Sequence, residues 1–161
     1  MKKLAILVSA LLLSAVTLAA QDGKTIYQKY SDAEQVSAVY ISPAMFRLIG
    51  NIPDLKAGDN DVNLTPVITT LSGMYLINSS NPGINHKLSS DVKKFVGAGK
   101  FELLMEAKDS GEAVRMYTCG DEDTVTSFVM HADDGAEVTF ICLDGKMPRK
   151  QLEDLIASSA K

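Results

Sequence analysis

The chain has 161 residues, of which 46% are apolar, and its 16 basic and 20 acidic residues give a formal net charge of −4. This length suits one domain with its own hydrophobic core. Because the chain is net acidic and has no cluster of lysines and arginines, it lacks the cations that bind nucleic acids and anionic membrane surfaces. We therefore expect no nucleic-acid partner.

The N-terminus has the pattern of a secretory signal peptide. Lys2 and Lys3 precede an uncharged apolar run from Leu4 to Ala20, and small residues lie near its end. The run is slightly shorter than the roughly 20 apolar residues of a spanning helix, which argues against a retained anchor. We predict cleavage near Ala20, with Ala19 as a rival position.

Removal of residues 1–20 leaves residues 21–161, which we predict to form a single α+β domain. The leader contains two of the basic residues and no acidic residue, so the mature chain has a net charge of −6. Nothing else in the sequence resembles a membrane span. We predict a periplasmic or secreted product with no stable span after cleavage.

Local patterns of apolar residues, caps and turn residues predict the elements of the first half. They are a helix within 21–35, a strand over 36–41, a helix over 43–50 with Ser42 as N-cap and Pro43 in its first turn, a surface loop over 51–63, a strand over 74–77 and a helix over 85–97. Residues 64–71 fit either a short helix or a strand, because Pro66 favours a helix start whereas Thr69 and Thr70 favour a strand.

Four alternating runs in the second half predict strands: Phe101–Ala107, Ala113–Cys119, Thr124–His131 and Glu137–Leu143. Their short, turn-rich links predict an antiparallel meander. The first run is expected to present alternate residues on one face of the sheet, namely Phe101, Leu103, Met105 and Ala107. The segment Lys146-Met147-Pro148 is predicted to open the last helix.

The order of these elements indicates the α+β class. We expect a mostly antiparallel sheet with a C-terminal four-stranded meander and helices packed on one face. The other face is expected to be exposed or only partly covered.

Two cysteines, Cys119 and Cys142, lie on predicted strands that have one strand between them. A disulfide requires Cα atoms about 4.4–6.8 Å apart, whereas next-but-one strands lie near twice the ~4.8 Å strand spacing. Export would permit a bridge, so the sequence leaves the redox state open, with reduced thiols favoured.

Polar residues in the predicted loop partly match a calcium-binding loop. Asp59, Asp61 and Asn63 offer oxygen ligands at alternate positions, but the glycine and glutamate of a full loop are replaced by Leu64 and Thr70. We therefore assign no metal. Asp59, Asp61 and Asn63 remain the candidate metal ligands of this sequence.

The sequence contains no complete catalytic or cofactor-binding motif. The segment 97–100 lacks the remaining residues of a phosphate loop, and no Gly-x-Ser-x-Gly elbow is present. His86 and His131 are the only histidines, and they lack the closely spaced partners of a zinc site. We predict no catalytic residue and no cofactor.

Acidic residues gather at the predicted turns. In a meander the first and third turns lie at one end of the sheet, which brings Asp109, Asp133 and Asp134 together, with Glu112 beside them. Turn formation explains these residues. Binding of a cation or of a basic partner is the alternative.

The sequence resembles a known family in several segments. These are Tyr27-Gln-Lys-Tyr30, Val36–Pro43 running into Met45–Gly50, Phe101–Glu106 and Val114-Arg-Met116. Together they are similar to the exported proteins of Bacteroidetes named domain of unknown function 4252 (DUF4252). The resemblance implies an exported α+β domain and leaves its activity open. Relatives often have a lipoprotein cysteine, which this chain lacks.

Export and the absence of a catalytic motif favour a non-enzymatic cell-envelope domain that binds a protein or a small ligand through its sheet or its 51–63 loop. The alternative is a periplasmic hydrolase whose site is assembled from scattered residues around Asp59, Asp61 and His86. A structural envelope component that self-associates is a third possibility. The sequence does not determine the partner or the oligomeric state.

Overall fold

The computed structural model describes residues 22–50, 56–57, 62–63 and 65–159. In chain order its elements are α1 (Gly23–Tyr30), β1 (Val36–Ile41), α2 (Pro43–Gly50), β2 (Lys56–Ala57), β3 (Val62–Asn63), α3 (Thr65–Ile68), β4 (Leu71–Ser79), α4 (Pro82–Ala98), β5 (Phe101–Asp109), β6 (Glu112–Gly120), β7 (Thr124–Asp133), β8 (Val138–Pro148) and α5 (Arg149–Ser159).

Six strands form one antiparallel sheet in the order β1-β4-β8-β7-β6-β5. The last four strands in the chain are a meander, and this confirms the predicted α+β class. The strands β2 and β3 pair separately, so the predicted 51–63 loop contains a short two-stranded hairpin. The rest of that loop lies outside the described residues.

Local signals near the start of the sheet are confirmed. The helix α2 begins at Pro43, and the Oγ of Ser42 accepts a hydrogen bond of 3.3 Å from the backbone amide of Met45, as an N-cap does. The structure decides the ambiguous 64–71 segment in favour of a short helix, α3, which ends at Ile68. Thr69 and Thr70 lie in the turn before β4 begins at Leu71.

The prediction for the last helix is wrong at its start. Residues 146–148 belong to β8, and α5 begins at Arg149. The pairing of Val125 with Met147 and of Thr124 with Pro148 continues the β7–β8 ladder, and Met147 is fully buried. Proline is tolerated there because Pro148 is the last residue of its strand.

The helices α1 and α4 pack on one face of the sheet, where the main core lies. Its buried members are Ile26, Tyr30, Tyr75, Ile77, Leu88, Val92, Phe95, Val96, Val129, Val138, Phe140 and Cys142. The helix α1 approaches β8 closely, since a Cβ atom on Gly23 would lie 2.5 Å from the Sγ atom of Cys142. We call this side of the sheet the helix face.

A β-bulge changes which residues of β5 share a face. The pairing shifts between Leu103, which lies opposite Tyr117, and Met105, which lies opposite Met116, so Leu104 is an extra residue. An extra residue reverses the alternation of the strand beyond it. Phe101 and Leu103 therefore lie on the helix face and Met105 and Ala107 on the other, and the prediction of one shared face is wrong.

Candidate functional site

A row of apolar side chains crosses all six strands on the face away from α1 and α4. Directly opposite residues in an antiparallel pair lie on the same face, and each member of this row is the direct partner of the next. The row, which we call the cross-sheet row, consists of Val39, Leu76, Ile141, Met130, Met116 and Met105.

The cross-sheet row is partly exposed along its whole length. Val39 and Met105 at its ends are 44% and 43% exposed, and its four inner members are all half-buried. On the helix face of the central strands, in contrast, Ile77 and Phe140 are fully buried. Within the described part of the chain, no element covers this row as α1 and α4 cover the opposite face.

Helices cover the sheet on one side of the row. Phe128 follows in the next position along β7 on this face. Phe128 and Leu152 of α5 both pack against a buried cluster that contains Val67 of α3. The neighbour of Phe128, Thr118, is buried. We call the cross-sheet row together with Val114 and Ala132 on its other side the apolar face. The second row continues through Thr139 and Asn78, which are polar and half-buried.

Carboxylates border the apolar face at the end of the sheet away from α5. A shallow groove of about 190 Å³ lies there. Its lining consists of Glu112, Ala113, Val114, Ala132, Asp133, Asp134, Glu137 and Thr139. We call Glu112, Asp134 and Glu137 the acidic rim. The same surface therefore combines apolar side chains with three carboxylates.

The three aspartates of the predicted turn cluster lie at this end of the sheet but have different surroundings. Asp109 accepts a hydrogen bond of 2.9 Å from the hydroxyl of Ser110, and Asp134 accepts from two backbone amides of the β7–β8 turn. Asp133 accepts a hydrogen bond of 2.8 Å from Ser89 of α4, so its side chain turns toward the helix face.

Ser89, His131 and Asp133 form a buried network that the sequence analysis did not detect. The hydroxyl of Ser89 donates to Oδ2 of Asp133 and lies 3.0 Å from Nε2 of His131. Because its one proton goes to Asp133, Nε2–H of His131 is the donor to Ser89. In a catalytic triad the serine donates to histidine instead, so this order does not activate Ser89 as a nucleophile.

Burial lowers the pKa of His131 from its ordinary value of 6.5 to about 4. The carboxylate of Asp133 opposes this shift, whereas the cations Lys93 and Arg115 add to it. His131 is fully buried, and its Nδ1 atom has no hydrogen-bond partner. The ring is therefore neutral at pH 7 and serves the core rather than a surface reaction.

The described part of the structure does not bring together the residues of the predicted hydrolase site. His86 lines a shallow groove of about 390 Å³ on α4 with Lys93 and Lys94. Asp59 and Asp61 lie outside the described residues, and Asn63 pairs with Lys56 in the small hairpin. In the described ranges, no three His, Cys, Asp or Glu side chains are grouped to hold a metal ion.

The two cysteines are free thiols on β6 and β8, with β7 between them as predicted. Burial raises the pKa of the Cys142 thiol, and the nearby Asp144 raises it further. A thiol held protonated in this way is a poor nucleophile. Cys142 is therefore a packing residue of the core.

The fold and its exposed surface define an α+β domain built on a six-stranded antiparallel sheet. The helices α1 and α4 cover one face of the sheet, and the other face has α3 and α5 at one end beside the partly exposed apolar face. The chain belongs to the family described as Domain of unknown function (DUF4252), whose pattern matches residues 30–155. This confirms the resemblance found in the sequence. No curated protein and no solved structure matches the chain.

No helix in the described part of the chain is both long enough and apolar enough to cross a membrane.

Proposed function

We propose that the chain is an exported, non-enzymatic domain of the cell envelope that binds another protein through its apolar face. The observation that supports this most directly is the partial exposure of the cross-sheet row over all six strands. A sheet with one face in water normally alternates apolar and polar residues. Exposed apolar surface of this kind is typical of interaction sites.

The dimensions of the surface suit a protein better than a small ligand. Six strands at ~4.8 Å spacing give the row a length of roughly 24 Å, which matches a helix of about 16 residues or a strand laid across the sheet. The grooves are shallow, whereas small-molecule sites are concave and bury most of their ligand. A protein segment is therefore the better fit.

Methionines make the proposed surface adaptable. Met105, Met116 and Met130 provide half of the cross-sheet row. Unbranched thioether side chains fill irregular gaps and adjust to different partners. The surface is thus suited to receive apolar side chains of several shapes.

The export part of the proposal predicts a mature chain that begins near Gln21. Host cells are fractionated, and the protein recovered from the envelope or the medium is sequenced from its N-terminus. The sequence is expected to begin near Gln21. Leu11→Arg places a charge within the apolar run and is expected to leave a full-length precursor in the cytosol. Leu11→Val is the matched control, and wild-type protein that begins at Met1 in the cytosol would contradict export.

The binding part predicts that Met116→Lys weakens partner capture at least tenfold. A charge in the middle of the row must lose water when a partner covers it. The lysine stem can still lie along the half-buried position with its ammonium in solvent, so the fold is retained. The measurement is quantitative capture from envelope extract with the mature chain as bait, after circular dichroism has verified the fold.

Leu48→Lys on α2 is the matched control for this experiment. Leu48 is an exposed apolar residue outside the apolar face, so the same substitution there is expected to leave capture unchanged. Equal loss in both variants, or no loss with Met116→Lys, would contradict binding through the apolar face.

A further inference from the structure

We infer that the apolar face binds a cationic amphipathic segment of its partner, with apolar side chains on the cross-sheet row and Lys or Arg side chains on the acidic rim. This inference rests on the proposed function and names the class of partner. It combines two observations, an apolar row and an adjoining set of carboxylates.

The row and the rim belong to one continuous surface. Val114 and Ala132 pair directly, and they lie between the cross-sheet row and the end of the sheet where Glu112 begins β6. Two residues along a strand span roughly 7 Å, so Glu112 lies roughly 13 Å from Met116 along β6. A segment bound on the row has a width of its own. A lysine or arginine on the side of the segment nearest the rim can therefore reach Glu112.

The rim carboxylates have no cation of their own among the residues that the structure describes. Among the described residues of the meander, the carboxylate that forms ion pairs is Glu106, which binds Lys108 and Arg115. Asp134 uses its Oδ1 atom for backbone amides of the turn. Glu137 accepts one long hydrogen bond of 3.5 Å, from Nδ2 of Asn78 to its Oε2 atom. The second oxygen of Asp134, the carboxylate of Glu112 and the other oxygen of Glu137 are therefore available to a partner's cations.

Two lysines near this end of the sheet lie on the opposite side from the rim. Lys93 and Lys94 lie on α4 and line the groove on the helix face. The three rim carboxylates, which take part in no described ion pair, give the rim a negative potential that steers a positively charged partner and selects against an acidic one. The complementary partner is thus apolar on one side and basic on the other.

The test uses two synthetic 16-residue amphipathic peptides that share a leucine face. One has lysines on its polar face and the other has glutamates. Each is titrated into the mature chain, and binding is followed by fluorescence anisotropy at low and at high salt. We expect the lysine peptide to bind at least tenfold more tightly at low salt, and we expect salt to reduce this preference.

A triple variant isolates the rim. Glu112→Gln, Asp134→Asn and Glu137→Gln together remove three charges while the asparagine keeps an acceptor for the turn amides. This variant is expected to lose most of the preference for the lysine peptide. The matched control removes three exposed charges elsewhere, by Asp32→Asn, Glu34→Gln and Glu153→Gln, and is expected to keep the preference.

The outcomes separate this inference from the proposed function. If both peptides bind equally and Met116→Lys abolishes both, the apolar face binds proteins but the cationic preference is wrong. If neither peptide binds, or if the control variant behaves like the rim variant, the inference is overturned, and the capture experiment still decides the proposed function. Light scattering that shows self-association, lost in Met116→Lys, would assign the face to a second copy and also overturn it.

Discussion

Asp91→Ala is expected to lower the free energy of unfolding by about 3 kcal/mol. Asp91 lies on α4 and accepts hydrogen bonds from the hydroxyl of Tyr30, at 2.7 Å, and from the ammonium of Lys29, both on α1. The Asp91 side chain is only 6% exposed. Its loss leaves the Tyr30 hydroxyl buried without a partner at the contact between the two helices.

The expected loss is smaller than for a fully buried ion pair. Lys29 is 38% exposed, so water replaces part of its interaction with the carboxylate. Burial alone would raise the pKa of Asp91, but the hydrogen bonds from Lys29 and Tyr30 outweigh burial and hold it below its ordinary value. The stabilisation is therefore present above the ordinary aspartate pKa and is lost as the pH falls below it.

Urea unfolding at neutral pH measures this prediction. Asp91→Asn keeps an acceptor for the Tyr30 hydroxyl and is expected to lose less than Asp91→Ala. Asp154→Ala is the control, because the pair of Lys150 and Asp154 on α5 is exposed and contributes about 0.5 kcal/mol or less. Equal losses for Asp91→Ala and Asp154→Ala would show that the buried contact does not stabilise the fold.

Acidification is expected to remove roughly 2–3 kcal/mol of stability between about pH 7.5 and about pH 4.5, through His131. In the folded chain the pKa of His131 is about 4, whereas the unfolded chain has the ordinary value of 6.5. The unfolded state therefore binds a proton in a range where the folded state does not. Stability is full above pH 6.5 and falls as the pH passes below it.

Urea unfolding over this pH range tests the role of His131. In His131→Gln the position no longer titrates, so the variant is expected to show a nearly flat profile, although it is less stable at neutral pH. His86→Gln on the exposed side of α4 is the control and should keep the wild-type profile. A wild-type slope that persists in His131→Gln would assign the pH dependence to other groups.

Signals that lie close together in the sequence were sufficient for most elements. Ser42 with Pro43 marks the start of α2, and the turns after Asp109 and Asp133 mark the meander, because caps and turns depend on a few adjacent residues. The end of β8 was misplaced since Lys146-Met147-Pro148 also resembles a helix start. Only pairing with β7 keeps this segment in the sheet.

Features that depend on register could not be predicted in the same way. No glycine marks the bulge at Leu104, and the network of Ser89, His131 and Asp133 joins residues more than forty positions apart. The sequence of one strand does indicate the apolar face. In β8 the segment Val138–Leu143 is apolar at nearly every position, and this indicates that both faces of the strand meet apolar surroundings.

The extra residue in β5 affects how readily the border of the sheet can pair with another polypeptide. β5 is one of the two edge strands of the six-stranded sheet and is nine residues long, and Leu103 and Leu104 project from it as exposed apolar side chains. Such a stretch is a template onto which another extended polypeptide can add, and repeated addition produces fibrils. The kink at Leu104 breaks the even spacing of amides and carbonyls along this border. The bulge therefore makes this border, with its exposed leucines, a poorer template for the addition of another strand.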